Sequence, residues 1–280
     1  MNLRLDRLAT LHLFSPLQRY RAASRPSIPI LMYHSVADDE ETGKYAYYRT
    51  LTTPSAFSCH MKQLYENGYA SVGLSQAVSS LRERLQHPKS VVITFDDGYA
   101  DFYTHAFPEL NHYGFTATIF LPTAYIGSAS RRFKGKQCLT WSQIRELRKL
   151  GVAFGSHTVT HPQLCTLKAS AVKAEIIDSK KVIENETGEK VESFSYPFAF
   201  PEHRPSFLRE LRDALASAGY QQGVSTRIGV ARRQADYYFL PRLPINSLDD
   251  SSFFAAKLLG GYDWLHPVQR ISKLIRSHAA

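Results

Sequence analysis

Two short segments of this chain carry residue types that do chemistry together. TFDDGY, Thr94 to Tyr99, puts two adjacent carboxylates, Asp96 and Asp97, at the end of the apolar run VVITF. Carboxylates at the exit of a buried strand are costly unless a cation or a proton partner compensates them. SHTVTH puts His157 and His161 four residues apart, directly after VAFGS. If that segment turns helically, both imidazoles share a face and reach one metal. A zinc-protease motif has the same spacing but places a glutamate base after its first histidine. Here that position is Thr158, which cannot act as a base. The Asp96–Asp97 pair would then supply one ligand and one spare carboxylate. Alone, Asp-Asp-Gly reads equally well as a strand-exit turn, and the histidine pair as a hydrogen-bonded turn. Together they match a catalytic metal site of two histidines and a carboxylate with open positions. His34, at the exit of the run in LMYHSV, is a third candidate, since a near-neutral pKa suits it to protonate a leaving group.

The elements that must position these residues alternate from residue 28 onward. IPILMY (28–33) reads as a buried strand, followed by a helix that Thr53 caps and Pro54 opens, with Phe57, Met61 and Leu64 on one face. A short strand at 70–72 leads to a helix through Val78, Leu81 and Leu85. VVITF suits a strand buried on both faces of a parallel sheet. Next come a helix over 100–113 containing Pro108, the strand TATIFL, a helix capped by Thr140 and ended by Gly151, and VAFGS. A long helix over 169–186, the strand FSYP, a helix over 206–217, and the runs YQQGVS and FLPRLPI complete the order. Seven or eight strands alternating with helices predict a β/α barrel; an open doubly wound sheet is the alternative, but no glycine-rich dinucleotide turn follows any strand. Residues 37–50 and 126–138 are read as long surface loops of the kind that often carry function.

With 280 residues the chain can bury one large core, and 44% hydrophobic with 21% charged residues excludes wholesale disorder. The net charge of +9 fits a solvated basic surface or attraction to anionic lipid or glycan. No nucleic-acid motif accompanies it. Cys59, Cys138 and Cys165 are too scattered for a disulfide framework, and Pro162 breaks any helix that would align Cys165 with the histidines, so Cys165 is read as a small buried hydrophobe. Arg4, Asp6 and Arg7 interrupt the first apolar residues, which argues against a signal peptide, and no stretch is apolar enough to span a bilayer. The expectation is a cytoplasmic protein. Leu3, Leu5 and Leu8 near one end, and Trp264, Leu265, Ile271 and Ile275 near the other, either pack on their own domain or form an interfacial surface that touches the membrane peripherally.

The sequence resembles the polysaccharide deacetylases of carbohydrate esterase family 4, with their nodulation-type deacetylase domain. TFDDGY matches the family's first motif and SHTVTH its H-[ST]-x-x-H motif; MYHSV, IFLPTAYIG, LTWSQIREL and GSHTVTHPQL extend the likeness over roughly residues 27–245. The resemblance implies a distorted (β/α)7 barrel and a divalent metal, usually zinc. It also implies removal of acetyl groups from N-acetylglucosamine-type polysaccharide or lipid-linked sugar. It makes Asp97, His157 and His161 the metal ligands and Asp96 the general base. The third motif, R-x-P-Y, is altered to Ser195, Tyr196, Pro197, Phe198, so the usual arginine is missing; Arg242 in LPRLP is the candidate substitute. The MYHSV form resembles circularly permuted exopolysaccharide deacetylases, in which an N-terminal histidine is the acid, and this implicates His34. Tyr99, Pro197 and Phe198 fall on the substrate and oxyanion side, with the Phe198 N–H as a donor. The domain reading is a basic and apolar extension over 1–26, a catalytic domain over 27–250 and a helical extension over 251–280. An O-deacetylase such as an acetylxylan esterase, or a catalytically silent glycan- or membrane-binding module, are the rival readings.

Overall fold

A computed structural model describes residues 4–16, 27–41, 45–83 and 89–278. Seven strands, β1 (Ile30–Tyr33), β2 (Ser90–Phe95), β3 (Thr118–Leu121), β4 (Ala153–Ser156), β5 (Ser193–Ser195), β6 (Gln222–Ile228) and β7 (Leu240–Pro244), form one parallel sheet in the order β1-β7-β6-β5-β4-β3-β2. β1 also pairs with β2, Ile30 beside Val92 through Tyr33 beside Phe95, and this closes the sheet on itself. Closure removes both edges and excludes the open doubly wound alternative. A two-residue strand, Ala70–Ser71, runs beside the start of β2. β1 and β2 are buried along their whole length, which is why both read as unbroken apolar runs.

Helices cover the outside: α1 (Leu5–Ala9), α2 (Pro54–Glu66), α3 (Leu74–Glu83), α4 (Phe107–His112), α5 (Trp141–Lys149), α6 (Ala169–Thr187), α7 (Pro205–Ser217), α8 (Ser251–Leu258) and α9 (Leu265–His278). Local chemistry sets their ends. Thr53 accepts from the Ala56 N–H and Pro54 opens α2. Thr140 and Gln143 form a reciprocal capping box at α5, and Gly188 ends α6 in the left-handed region. Leu85, expected on α3, lies outside the described residues.

Two expectations are corrected. The segment over 100–113 is a π-helical turn, Phe102–Ala106, running into α4, so Pro108 falls in the first turn of an α-helix where its missing N–H costs nothing. Residues 126–138 are no loose loop. Arg132–Phe133 pairs antiparallel with Lys136–Gln137 around Lys134 (φ +48°) and Gly135 (φ +82°), a two-residue turn with positive φ at both positions.

The loop after β7 returns onto α2 through His60. Its ring is buried, stacks on Phe254 at 4.3 Å, donates from Nε2 to the Asp249 carbonyl (2.7 Å) and accepts at Nδ1 from the Tyr33 hydroxyl (3.2 Å). Burial holds its pKa below the ordinary histidine value. A neutral folded histidine contributes fully above the unfolded pKa of about 6.5, and its contribution is lost as pH falls from there toward the folded value. Chemical denaturation across pH 7 to 5 should therefore show falling stability, and His60→Gln should flatten part of that slope.

Candidate metal centre

Asp96 and Asp97 follow β2 at the end of the barrel where the strands finish. Asp97 is left-handed (φ +70°) and so is Gly98 (φ +61°). An aspartate tolerates that region, and a Cβ at Gly98 would meet Leu121 Cδ2 at 3.0 Å, so the order Asp-Asp-Gly is what this turn requires. The turn sends the two carboxylates to different partners.

Asp96 is gripped by Arg242 from β7. Nη1 donates to Oδ1 at 2.8 Å and Nη2 to Oδ2 at 2.7 Å. The same guanidinium donates to the Ser225 carbonyl (3.1 Å), Thr94 Oγ1 (3.2 Å) and Ser195 Oγ (3.0 Å), and Ser195 Oγ donates to Asp96 Oδ1 at 3.2 Å. Arg242 is wholly inaccessible to solvent. Burial alone would raise the Asp96 pKa; the Arg242 charge, with His157 and His34, overrides it and holds the carboxyl well below the usual range. Asp96 is thus an ionised carboxylate at neutral pH, with Oδ2 4.0 Å from His157 Nε2.

Asp97 meets the histidines. Its Oδ1 lies 3.6 Å from His157 Nε2 and 3.3 Å from His161 Nε2. Tyr99 donates its hydroxyl to Oδ2 at 2.9 Å, and the Lys134 ammonium stands 3.2 Å from the same oxygen. Burial beside this carboxylate pushes the Tyr99 phenol up, so it remains a donor. Tyr99, expected on the substrate and oxyanion side, thus has its hydroxyl on Asp97.

The histidines are not on a helical turn, as their spacing had suggested. Residues 157–161 form an irregular bend in which Thr158 (φ +69°) and His161 (φ +57°) are both left-handed. A β-branched residue there is strained. The bend is held by Glu175 from α6, whose carboxylate accepts from the Val159 N–H (2.7 Å), the Thr160 N–H (2.9 Å) and the Thr160 hydroxyl (2.6 Å). Thr158 Oγ1 accepts from the His161 N–H at 3.0 Å. His157 Nδ1–H donates to the Ser195 carbonyl at 2.8 Å, which fixes the tautomer that leaves Nε2 free as a ligand. Burial pushes His157 down to about 4, against the pull of Asp96, so its imidazole is neutral. The His161 ring is wedged edge-on between Phe133 (5.2 Å) and Phe198 (4.6 Å).

These residues fit a divalent metal. One donor atom from each of Asp97, His157 and His161 lies within 4.8 Å of the others. Two atoms each about 2.0–2.1 Å from a tetrahedral zinc are about 3.3 Å apart, close to the separations seen. Asp97 Oδ1 is buried without a hydrogen-bond partner of good geometry, a state costing about 1–3 kcal/mol that a cation would relieve. Cys165 plays no part in this cluster; it is a half-buried free thiol rather than a fully buried one.

The remaining sequence candidates gather around the same centre. His34 follows β1, partly exposed, and responds to the charges of Asp96, Asp97, Arg242 and Lys134; burial holds its pKa low while the carboxylates oppose this. Pro197 is buried, and Phe198 is 42% exposed with φ +59°. Thr226 clamps that loop by donating to the Phe198 carbonyl (2.9 Å) and accepting from the Phe200 N–H (3.0 Å). Three contributors had no signal of their own in the sequence. Lys134 sits at a hairpin tip that Lys-Gly marks only as a turn, and Glu175 looks like any charged helix residue. Ser195 stood out only as a replaced arginine.

Removing Arg242 would strand a buried carboxylate. Arg242→Met should cost about 3–5 kcal/mol in chemical denaturation, and adding Asp96→Asn should recover part of the loss.

The chain matches the polysaccharide deacetylase family model over residues 84–223. It is 34% identical over 231 residues to YxkH of Bacillus subtilis (strain 168), a polysaccharide deacetylase by name, covering 82% of this chain and 75% of that one. Over 138 residues it is 33% identical to the poly-beta-1,6-N-acetyl-D-glucosamine N-deacetylase of Escherichia coli (strain K12); the match covers 46% of this chain but only 20% of that enzyme. Among solved structures it is similar to the Streptococcus pyogenes deacetylase PplD in complex with acetate, with a TM-score of 0.73, 25% identity, and coverage of 84% of this chain and 99% of that one. IcaB from Ammonifex degensii shares the fold at a TM-score of 0.68 and 22% identity, over 83% of this chain and 97% of that one. A closed seven-stranded parallel barrel carrying these motifs, with relatives of this kind, belongs to the polysaccharide deacetylase family.

Proposed function

We propose that the chain removes acetyl groups from N-acetylated sugars, N-acetylglucosamine-type polysaccharide or glycolipid, using zinc held by Asp97, His157 and His161. The observation that carries this reading is the division of labour between two adjacent aspartates. Asp97 faces the histidines, while Asp96 is ionised, gripped by Arg242 and held outside the ligand set. A binding module needs no such spare base. The N-deacetylase among the relatives supports the amide as the bond cleaved. Residues 27–250 are taken as the catalytic domain, flanked by terminal extensions.

When bound, the metal would supply Lewis-acid polarisation and a lowered water pKa. Asp96 is placed to take the proton of an attacking water, its remaining lone pairs occupied by Arg242 so that it cannot rotate away. The Phe198 N–H, on a loop clamped by Thr226, is the proposed donor to the developing oxyanion. His34 hands a proton to the departing amine nitrogen, so that the C–N bond breaks to acetate and free amine. Its lowered pKa makes the imidazolium a stronger acid, at the cost of a smaller protonated fraction at neutral pH.

Acetate release from polymeric, lipid-linked and O-acetylated substrates separates the amide reading from an O-deacetylase; turnover on O-acetyl esters alone would overturn it. Asp96→Asn should lower turnover by about 10²–10⁴ with metal content unchanged, whereas His157→Ala should lose metal and activity together. Lys134 competes for the carboxylate a metal would use. Its removal in Lys134→Ala should tighten zinc binding by roughly two- to five-fold in calorimetry, the range expected of a half-exposed ion pair.

A further inference from the structure

The two terminal segments are joined in space and carry a chemistry the barrel does not use. Phe14 stacks on Trp264 at 4.9 Å, the Trp264 indole N–H donates to Thr10 Oγ1 (2.9 Å), and the Tyr262 hydroxyl donates to Asp6 (2.8 Å). Arg7 pairs with Asp250 at 2.6 Å. The inner faces of α1, the π-helical turn Thr10–Phe14 and the start of α9 are thereby satisfied against the protein. Their outer faces are not: Leu5 is 69%, Leu13 62% and Ile271 57% exposed, with Leu8 and Val268 also open. Of the residues expected to pack on their own domain, Trp264 and Leu265 do so, Leu5, Leu8 and Ile271 do not, and Leu3 and the Ile275 side chain lie outside the described residues.

Formal charge is concentrated in the same stretches of sequence. Residues 1–25 hold five arginines against one aspartate, and residues 264–280 hold three cations against no acid, so +7 of the net +9 lies at the two ends. Of these, Arg4 and Arg7 pair with Asp6 and Asp250, Arg270 is exposed, and Arg19, Arg21 and Arg25 lie outside the described residues. Their position is equally specific. Arg4 donates to the carbonyl of Leu248, just past β7, and His266 at the head of α9 pairs with Glu202 at 2.8 Å. Glu202 belongs to the loop after β5 that carries Phe198, so both segments reach the rim of the barrel at its catalytic end.

We propose that the joined terminal segments form a docking surface for an anionic lipid bilayer, set beside the mouth of the metal centre. Exposed leucine and isoleucine on helices flanked by arginine and lysine insert among acyl chains while the bases meet acidic headgroups. A second copy of the chain is a poor occupant, because two surfaces of this positive charge repel each other. The inference is independent of which glycan is cleaved.

Co-sedimentation of the full chain with phosphatidylcholine vesicles, with and without phosphatidylglycerol, tests it. Binding should appear on the anionic vesicles, on the order of tenfold above neutral ones, and weaken as salt rises. The triple variant Leu5→Glu, Leu13→Glu, Ile271→Glu should lose binding while keeping acetate release from a soluble acetylated oligosaccharide. Arg270→Glu with Lys273→Glu should weaken binding without touching the exposed apolar residues. Equal sedimentation with both vesicle types, or unchanged binding by the triple variant, would overturn the proposal. So would a dimer in light scattering that the triple variant abolishes.

Discussion

An aspartate that must act as a base inside a protein faces opposed demands: it has to be charged, dry enough to matter, and still. Arg242 meets all three for Asp96, the base proposed above. Its guanidinium supplies the counter-charge that keeps the buried carboxyl ionised, and its fork geometry fixes both oxygens. Thr94, Ser195 and the Ser225 carbonyl use up its other donors, so neither member of this pair is left half-satisfied. The remainder of the site is arranged around this pair. Ser195 contacts both members of it and, through its carbonyl, orients His157. One short strand thus links Asp96 to the cluster of Asp97, His157 and His161.

Much of the architecture could be read from the chain. Unbroken β-branched runs such as VVITF mark strands buried on both faces, and Thr53-Pro54 and Thr140 mark helix starts, because these signals are local. The Asp-Asp-Gly order was informative for the same reason: a left-handed aspartate followed by a left-handed glycine is a property of the turn itself. The pairing of His157 with His161 was anticipated, but not the way it is achieved. Helical spacing is one route to convergence; a strained bend pinned by Glu175, sixteen residues or fewer away on α6, is another, and periodicity cannot tell them apart.

What sequence could not supply was the long-range part. Lys134 reaches Asp97 only because the hairpin folds over the mouth, and nothing in Lys-Gly names its target. Nor does the position of Tyr99 beside the aspartates say that its hydroxyl binds Asp97, the acceptor that a buried phenol must find. The altered third motif is the instructive case. Where the resemblance leads one to expect an arginine the chain has Ser195; the guanidinium that grips Asp96 comes from β7, and the Ser195 hydroxyl accepts from it.

The distance in sequence between Asp96 and Arg242 bears on how the protein folds. Asp96 and Arg242 are 146 residues apart in sequence, and β1 and β7 are neighbours only once the barrel has closed. Pairings of such long range form late, since the loop entropy they cost must be met before they contribute. During synthesis, Asp96 emerges well before the strand that carries its counter-charge. A nascent chain would therefore hold Asp96 without Arg242 until its last strand docks, so the ion pair and the finished barrel arrive in the same folding event.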